Sequence, residues 1–516
     1  MKNGILIIDY GSQYTQLITR RIRELKVYSQ IVSYDKINDK ILSKLNPCGI
    51  ILSGGPNSAL EKNSPNLSKK IFAVNKPILG ICYGMQILYK YFGGEIAKSK
   101  KREYGNSSIK ILNKSDIIPK KWKINSNQSV WMSHGDHVKK IPKGFSLISS
   151  SNNKIISIIQ NNNKKIYGLQ FHPEVEHTKN GFELIKQFVY SICKAKNNWK
   201  LDDFISKKTK EIKKIVKKDN VICALSGGVD SSVTAYLIHK SIKKQLFCIF
   251  VDHGLLREGE SQEINLFFKE KFYKNFIKIN AKKIFLEKLK GISHPEKKRK
   301  IIGKTFIEVF EKEAKKIRNV KFLAQGTLYP DIIESISATG GPSVKIKSHH
   351  NVGGLPEKMN FDLIEPLKDL FKDEVRKVGS ELNISDELTK RHPFPGPGLG
   401  VRIIGEITKD RVSILQDADE IFLNVLKEEQ EYDNIWQAFA VLIPVKTVGV
   451  MGDQRTYENL IALRAVTSLD GMTADWYRMP PEVLSKISNK IVNNVNGVNR
   501  VVYDITSKPP GTIEWE

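Results

Sequence analysis

The clearest chemical pattern in this sequence follows an apolar run at residues 221–225. Five apolar residues in a row predict a buried parallel strand, and residues 233–239 predict a helix soon after it. Glycines between them can turn the backbone tightly and expose N–H groups at a helix N-terminus, where anions are stabilised. Serine hydroxyls add further donors. The residues predicted to bind phosphate are Ser226, Gly227, Gly228, Val229, Asp230, Ser231 and Ser232.

Asp230 is the unusual member of this loop, because a carboxylate beside bound phosphate needs a cation between the two charges. We therefore predict that Asp230 binds Mg²⁺. The loop is not a Walker A motif, since the G-x-x-x-x-G-K-[ST] spacing does not occur: before Gly303-Lys304-Thr305, Lys298 stands where the first glycine belongs. An ordinary Gly-Ser turn is the structural alternative.

With S-G-G-x-D-S-S directly after a strand, this loop resembles the pyrophosphate loop of the ATP pyrophosphatases. Enzymes of that family split ATP between the α and β phosphates and adenylate a carbonyl or carboxylate oxygen. The resemblance therefore implies ATP as a co-substrate and an adenylated intermediate.

A second chemical pattern is centred on Cys82, in the sequence G-I-C-Y-G at residues 80–84. Glycines on both sides permit the strained strand-to-helix turn called a nucleophile elbow, which exposes the central side chain. A helix N-terminus also favours the thiolate, the reactive form of cysteine. Cys82 is therefore a candidate nucleophile, and a small buried side chain with no chemical role is the alternative.

His172 and Glu174 are the candidate partners of Cys82. They are two residues apart around a proline, which favours extended backbone and places both side chains on one face. His172 can then accept the thiol proton while Glu174 orients the imidazole, as in a Cys-His-acid triad. Backbone amides near Gly55 and at Tyr83 are candidates for an oxyanion hole.

Together these motifs resemble the class I glutamine amidotransferases over residues 1–195. The resemblance implies that the cysteine attacks the carboxamide of glutamine and releases ammonia, after which water releases glutamate. Residues 131–137 (W-M-S-H-G-D-H) also resemble the glutamine-site loop of that family.

The formal net charge of +28 would suggest a nucleic-acid partner. However, the lysines are spread along the chain, and no RNP, zinc-finger or helix-turn-helix pattern accompanies them. We therefore predict no nucleic-acid partner. No apolar run reaches the roughly 18 residues that a membrane span needs, and no signal-peptide pattern opens the chain. With five scattered cysteines that fit reduced thiols, these features predict a cytoplasmic protein without a membrane partner.

The length of 516 residues and the element pattern predict three α/β-class domains. Alternating strands and helices predict two open, mostly parallel sheets with flanking helices, in domains 1–195 and 196–390. The third domain, 391–516, is predicted to be a smaller α+β domain. Its expected elements include a strand at 439–445 and a helix at 457–466.

The polar, glycine-rich stretch at residues 345–356 is predicted to be a mobile lid that brings Lys347 to the phosphates. His349 and His350 in the same stretch are poor candidates for a metal site, because adjacent side chains point apart.

The sequences H-P-F-P-G-P-G-L-G-V-R (residues 392–402) and K-P-P-G-T-I-E-W-E (residues 508–516) extend the resemblance to the whole chain. The chain resembles the glutamine-hydrolysing GMP synthetases, which are carbon–nitrogen ligases with glutamine as amido donor. The resemblance implies that ATP with Mg²⁺ adenylates the C2 oxygen of xanthosine 5′-monophosphate (XMP). Ammonia then displaces AMP, so that GMP, AMP, pyrophosphate and glutamate are formed.

The resemblance also implies that the C-terminal domain helps to bind the nucleotide and forms a homodimer. The positions that match substrate contacts of the family are Arg299, Gln437, Arg500, Lys508 and Glu514. The motifs alone support only glutamine-dependent, ATP-cleaving amide or amine transfer, and XMP as the acceptor comes from the resemblance. An NAD synthetase is the alternative among enzymes, and a nucleic-acid-binding regulator is the alternative from another class.

Overall fold

The computed structural model describes residues 3–12, 14–335, 361–451, 454–468, 471, 474–508 and 510–516. The chain divides into two compact units. Unit 1 is Met1–Lys200 together with residues 333–335, and unit 2 is Leu201–Ile332 together with the described chain from residue 361 onwards. Lys347, the predicted lid residue, lies outside the described residues. None of the described helices is long and apolar enough to cross a membrane.

Unit 1 combines strands with short helices. Its strands are β1 (Ile5–Asp9), β2 (Ser29–Ser33), β3 (Gly49–Leu52), β4 (Ile78–Ile81), β5 (Glu95–Ile111), β6 (Asn127–Lys140), β7 (Ser146–Ser151), β8 (Ile156–Asn161) and β9 (Ile166–Leu169). Its α-helices are α1 (Thr15–Glu24), α2 (Asp39–Leu45), α3 (Lys70–Ala73), α4 (Tyr83–Tyr91) and α5 (Gly181–Lys186).

These strands form one nine-stranded sheet in the order β2-β1-β3-β4-β9-β8-β7-β5-β6. The first five strands in this order run parallel, and β1, β3, β4 and β9 are buried along their whole length. The remaining strands pair antiparallel. Because β3, β4 and β9 are neighbours, the loops at their carboxyl ends meet at one edge of the sheet.

The remaining strands and helices belong to unit 2. Its strands are β10 (Asn220–Leu225), β11 (Leu246–Asp252), β12 (Phe276–Asn280), β13 (Val320–Ala324), β14 (Asp362–Ile364), β15 (Gln437–Met451), β16 (Gln454–Thr467), β17 (Asp475–Trp476) and β18 (Val498–Tyr503). Its α-helices are α6 (Leu201–Val216), α7 (Val229–Ile242), α8 (Glu260–Phe272), α9 (Lys282–Leu289), α10 (Pro295–Ala314), α11 (Tyr329–Ser335), α12 (Lys372–Glu381), α13 (Asp386–Thr389), α14 (Lys409–Glu428) and α15 (Pro481–Asn494).

The described strands of unit 2 form two sheets. The first is fully parallel, in the order β12-β11-β10-β13-β14. In the second, β15, β16 and β17 pair antiparallel and β18 runs parallel to β16, while α14 and α15 contribute apolar residues to its core. The predicted fold class, α/β with large parallel-containing sheets and an α+β C-terminal part, is confirmed.

Two features differ from the expectations. Residues 457–466 form part of strand β16, so the predicted helix is wrong. Leucine and alanine favour helix in this stretch, but pairing with β15 on one side and β18 on the other overrides that preference. The antiparallel strands of the unit 1 sheet were also not among the strands predicted from the sequence.

Candidate active sites

Cys82 occupies the turn between β4 and α4 in unit 1. Its backbone has φ = 50° and ψ = −108°, a left-handed conformation that is strained for a residue with a side chain. A Cβ at Gly80 would lie 2.7 Å from the backbone nitrogen of Met85, and a Cβ at Gly84 would lie 2.4 Å from the carbonyl oxygen of Leu52. Both glycines are therefore required by close packing, and together with the strained turn they form the predicted elbow.

His172 and Glu174 follow β9, the neighbour of the cysteine strand. The Nδ1 atom of His172 lies 2.8 Å from Oε1 of Glu174, and both side chains are buried. Burial by itself lowers the pKa of His172, but the Glu174 carboxylate and the Cys82 thiol raise it well above its ordinary value. Position 54 lies close to the same imidazole, since a Cβ at Gly54 would come within 3.1 Å of Cε1 of His172.

Two further groups contact the Cys82 sulfur. The thiol donates to the carbonyl oxygen of Ser133 over 3.5 Å, and Nε2 of Gln170 lies 3.8 Å from the sulfur. Gln86, one turn into α4, donates to the carbonyl oxygen of Asp136 over 2.7 Å. Gln170 was not predicted from the sequence to have a role, although it lies two positions before His172 in the same motif. Ser133 lies in the stretch that resembles the glutamine-site loop.

The predicted phosphate loop joins β10 to α7, which begins at Val229. Gly227 has φ = 77°, and a Cβ there would lie 2.2 Å from Cδ1 of Ile264, so this position needs glycine. The hydroxyls of Ser231 and Ser232 donate to the carbonyl oxygen of Gly228 over 3.0 and 2.8 Å. The backbone turn and the helix N-terminus therefore have the geometry of an anion-binding loop.

Asp230 lies in the first turn of α7. Its Oδ2 atom is 3.5 Å from Nζ of Lys372, while Oδ1 is buried and has no hydrogen-bond partner among the described residues. An unpaired carboxylate oxygen suits a Mg²⁺ ion held by one carboxylate and substrate phosphates. No group of three or more His, Cys, Asp or Glu side chains with metal-site geometry occurs in the described part of the chain. Asp230 as a Mg²⁺ ligand stays a prediction, and its contact with Lys372 was not predicted from the sequence.

Among the candidate substrate contacts, Gln437 and Glu514 lie together. Nε2 of Gln437 donates to Oε1 of Glu514 over 2.7 Å, and the buried Arg402 donates to both oxygens of the same carboxylate over 2.9 and 3.1 Å. Glu514 also lines a cavity of about 500 Å³ formed by the end of β18 and the segment that follows residue 510.

The three basic candidates contact different groups. Nζ of Lys508 donates to the carbonyl oxygen of Gly471 over 2.7 Å, and Nη2 of Arg500 donates to that of Val448 over 3.3 Å. Arg299 donates to the backbone oxygen of residue 516. These contacts do not bring the three cations together at a single point.

Comparison with known protein families gives three matches along the chain. The family model for class I glutamine amidotransferases matches residues 6–192, the PP-loop domain model matches residues 201–317, and the GMP synthase C-terminal domain model matches residues 424–515. The relatives include curated GMP synthases (glutamine-hydrolysing) from Aquifex aeolicus, 54% identical over 515 residues, and Brachyspira hyodysenteriae, 54% identical over 519 residues. Both alignments cover 100% of each chain. The chain belongs to the glutamine-hydrolysing GMP synthase family.

Membership of the GMP synthase family confirms the resemblance that the sequence motifs indicated along the whole chain. It also confirms the expected pairing of an amidotransferase region with an ATP-using PP-loop region. The roles of individual residues, the Mg²⁺ ion and the exact domain boundaries stay predictions.

Proposed function

We propose that this chain synthesises GMP from XMP, with ammonia that unit 1 releases from glutamine. The observation that supports it most directly is Cys82 at a strained elbow beside a buried His172–Glu174 pair, where the Glu174 carboxylate and the Cys82 thiol raise the pKa of the imidazole despite its burial. Unit 2 carries the second half of the chemistry, in which ATP activates the C2 oxygen of XMP. Ammonia then attacks C2 and AMP leaves, so one molecule each of GMP, AMP, pyrophosphate and glutamate is formed.

In the proposed glutaminase reaction, the Cys82 sulfur attacks the carboxamide carbon while His172 takes the thiol proton. Glu174 stabilises the imidazolium through the 2.8 Å contact at Nδ1, so His172 keeps its other nitrogen for proton transfer. His172 then protonates the leaving ammonia. Water attacks the remaining thioester, with His172 now accepting a proton from the water, and glutamate leaves.

In the proposed adenylation reaction, the loop at residues 226–232 and the N-terminus of α7 bind the β- and γ-phosphates of ATP. The unpaired Oδ1 of Asp230 would hold Mg²⁺, which neutralises phosphate charge as pyrophosphate leaves. Lys372, whose Nζ lies 3.5 Å from Asp230, adds a further positive charge at this loop. We retain Lys347 as a proposed lid residue.

For XMP binding we propose the contacts Arg299, Gln437, Arg500, Lys508 and Glu514. Lysine and arginine suit the 5′-phosphate, whereas Gln437 and Glu514 suit the N–H groups of the base. We also propose three domains, 1–195, 196–390 and 391–516, in which the third supplies most of these contacts.

A homodimer is supported by the β15–β16 hairpin of unit 2. Its exposed apolar side chains are Val445, Val448, Val450 and Tyr457. An apolar strand pair of this kind is favourable as an interface. Light scattering of the wild type and of Val450→Lys tests the proposal, with a dimer expected for the first and a monomer for the second. A cytoplasmic location is proposed from the five cysteines, all of which are free thiols.

One coupled assay tests the proposed function. Glutamine, ATP and Mg²⁺ are supplied with XMP or with deamido-NAD, and the release of AMP and the aminated product is followed. The proposal is supported if AMP and GMP form in equal amounts with XMP and no aminated product forms with deamido-NAD. Product with deamido-NAD and none with XMP would instead identify an NAD synthetase activity.

A further inference from the structure

Arg402 is a fully buried arginine in unit 2. Its side chain is 0% exposed, and its Cζ atom lies 4.0 Å from the ring centre of Phe439 and 5.0 Å from that of Phe394. Its Nη1 atom is buried and has no hydrogen-bond partner among the described residues. Burying a guanidinium group with an unpaired donor costs folding free energy, and an apolar side chain would fill the same space at lower cost. The position therefore calls for an explanation other than core packing.

The remaining donors of Arg402 fix the Glu514 carboxylate. Nε donates to Oε2 over 3.1 Å and Nη2 donates to Oε1 over 2.9 Å, so the planar guanidinium sets the plane of the carboxylate. The backbone of Arg402 is itself fixed, because its carbonyl oxygen accepts from the amide of Leu442 in β15 over 2.8 Å. The orientation of Glu514 is thus set by a rigid sheet.

Glu514 in turn fixes the amide of Gln437. An ionised carboxylate can only accept hydrogen bonds, so the 2.7 Å contact requires Gln437 to turn its NH₂ group toward Glu514. The carbonyl Oε1 of Gln437, a residue that is 4% exposed, is then the acceptor atom of this amide. The Glu514 side chain is 19% exposed and lines the cavity described above, whereas Arg402 is not exposed at all.

We propose that Arg402 is a positioning residue for base recognition, which holds Glu514 and Gln437 as a fixed pair of hydrogen-bond acceptors. The proposal rests on the proposed function, in which these two residues contact the nucleotide. A pair of acceptors recognises ring N–H groups, and an oxidised purine carries such groups beside its carbonyl carbons. If the ring nitrogen that faces the two acceptors carries a lone pair in place of an N–H, no hydrogen bond forms. Such a base is expected to bind poorly, because the acceptors stay unpaired.

The test compares the kinetics of Arg402→Met and Arg402→Lys with those of the wild type. Arg402→Met removes the charge and the pair of parallel N–H donors that bind Glu514, but it fills the space between the two phenylalanine rings. We expect the KM for XMP to rise roughly ten- to hundredfold, with kcat at saturating XMP within about threefold of the wild type and an unchanged KM for ATP. Arg402→Lys keeps the charge but lacks the planar pair of N–H donors, so its effect on the KM for XMP is expected to be smaller.

Arg464 provides a matched control for disorder of the segment that carries Glu514. It is also 0% exposed, but it contacts the segment through the backbone carbonyl oxygens of Thr512 (3.2 Å) and Asp504 (3.4 Å), together with the Asp504 carboxylate. Each arginine variant is combined with Glu514→Gln in a double-mutant cycle on the KM for XMP. If Arg402 acts through Glu514, the second substitution adds little to Arg402→Met, and the coupling is larger than in the Arg464 cycle. Equal coupling in the two cycles would mean that Arg402 only keeps the segment ordered, which contradicts the proposal.

An unchanged KM for XMP in folded Arg402→Met, or full multiplication of effects in the Arg402 cycle, overturns the proposal. Thermal melting checks folding, and the cycle built on Arg402→Lys decides the question if the methionine variant does not fold. Failure of the proposed function is a separate result, since it would appear as wild-type protein that forms no GMP from XMP.

Discussion

The proposed glutamine site and the proposed nucleotide site are organised in opposite ways. In unit 1, Cys82, His172 and Glu174 are all buried, and the histidine and carboxylate are paired at 2.8 Å. In unit 2, the candidate cations Lys508 and Arg500 are more exposed and donate to backbone carbonyl oxygens. Covalent catalysis needs groups held at fixed distances, whereas phosphate binding can exchange an internal hydrogen bond for a stronger charge-assisted one. The two sites should therefore respond differently to substitution.

The largest expected effect comes from Cys82→Ala. We expect glutamine-dependent GMP synthesis to fall by at least about three orders of magnitude, because no other group can form the thioester. Synthesis from an ammonium salt at alkaline pH should stay near the wild-type rate, since the adenylated nucleotide accepts free ammonia. Initial rates with the two nitrogen sources measure the difference.

The control for this variant is thermal melting, which should stay within a few degrees of the wild type, as only one sulfur atom is removed. Loss of both activities in a folded protein would contradict the separation of the two sites. Retention of the glutamine-dependent rate would remove Cys82 from the mechanism.

A smaller effect on both nitrogen sources is expected from Asp230→Asn. The substitution keeps the shape and removes the charge, so Mg²⁺ loses its protein ligand. Synthesis should fall roughly a hundredfold with glutamine and with ammonia alike. Titration with Mg²⁺ checks the cause, because a binding defect moves the midpoint to higher concentration. If Asp230→Asn keeps the wild-type rate with ammonia at an ordinary Mg²⁺ concentration, the role of Asp230 is structural.

A moderate effect is expected from Lys508→Ala. Losing a charge-assisted phosphate contact should raise the KM for XMP by about one to two orders of magnitude, while glutamine hydrolysis in unit 1 stays unchanged. Steady-state kinetics with XMP varied measure this effect. An unchanged KM would mean that the 2.7 Å contact with Gly471 is the whole role of this side chain.

The smallest expected effect is a difference between the two units in how their stability depends on pH. The pKa of His172 is raised, so its stabilising contribution is complete below pH 6.5 and is lost as the pH rises through the folded-state value. Burial lowers the pKa of His392 in unit 2 to about 4, so the unfolded state binds more protons between pH 6.5 and 4. Lowering the pH from 7.5 to 5.5 should therefore destabilise unit 2 by about 1 kcal/mol through His392.

Hydrogen exchange resolved along the chain measures this difference, because one melting temperature would average the two units. Protection of strand β15 should fall with decreasing pH, since the amide of Ala438 donates to Nδ1 of His392 over 3.1 Å. His392→Gln should remove most of that pH dependence. Equal pH dependence in the variant and the wild type would contradict the assignment.

The sequence was most informative where interacting residues are close along the chain. His172 and Glu174 are two positions apart, so an extended backbone alone predicted their pairing, and the glycines around Cys82 predicted the elbow. The partners in unit 2 are distant: Lys372 lies 142 positions from Asp230, and Arg402 lies 112 positions from Glu514. Such contacts depend on packing between elements, and no local pattern predicts them.

The fold shows the same limit. Alternating strands and helices predicted the parallel sheets, because each crossover has a short, recognisable pattern. Strand β16 was wrongly predicted as a helix, since residues 460–466 are almost all apolar and buried, and continuous burial removes the periodicity that distinguishes the two structures. Its neighbours β15 and β18 decide its conformation.

The backbone at Cys82 also bears on how this protein can evolve. A non-glycine residue held at φ = 50° costs about 1–3 kcal/mol relative to a relaxed backbone. Glycine at position 82 would relieve that strain, so Cys82→Gly should be more stable than Cys82→Ala while having no more activity. Selection for stability alone would therefore replace the nucleophile. The cysteine persists only under selection for turnover, and a lineage that gained ammonia from another source would be expected to lose it early.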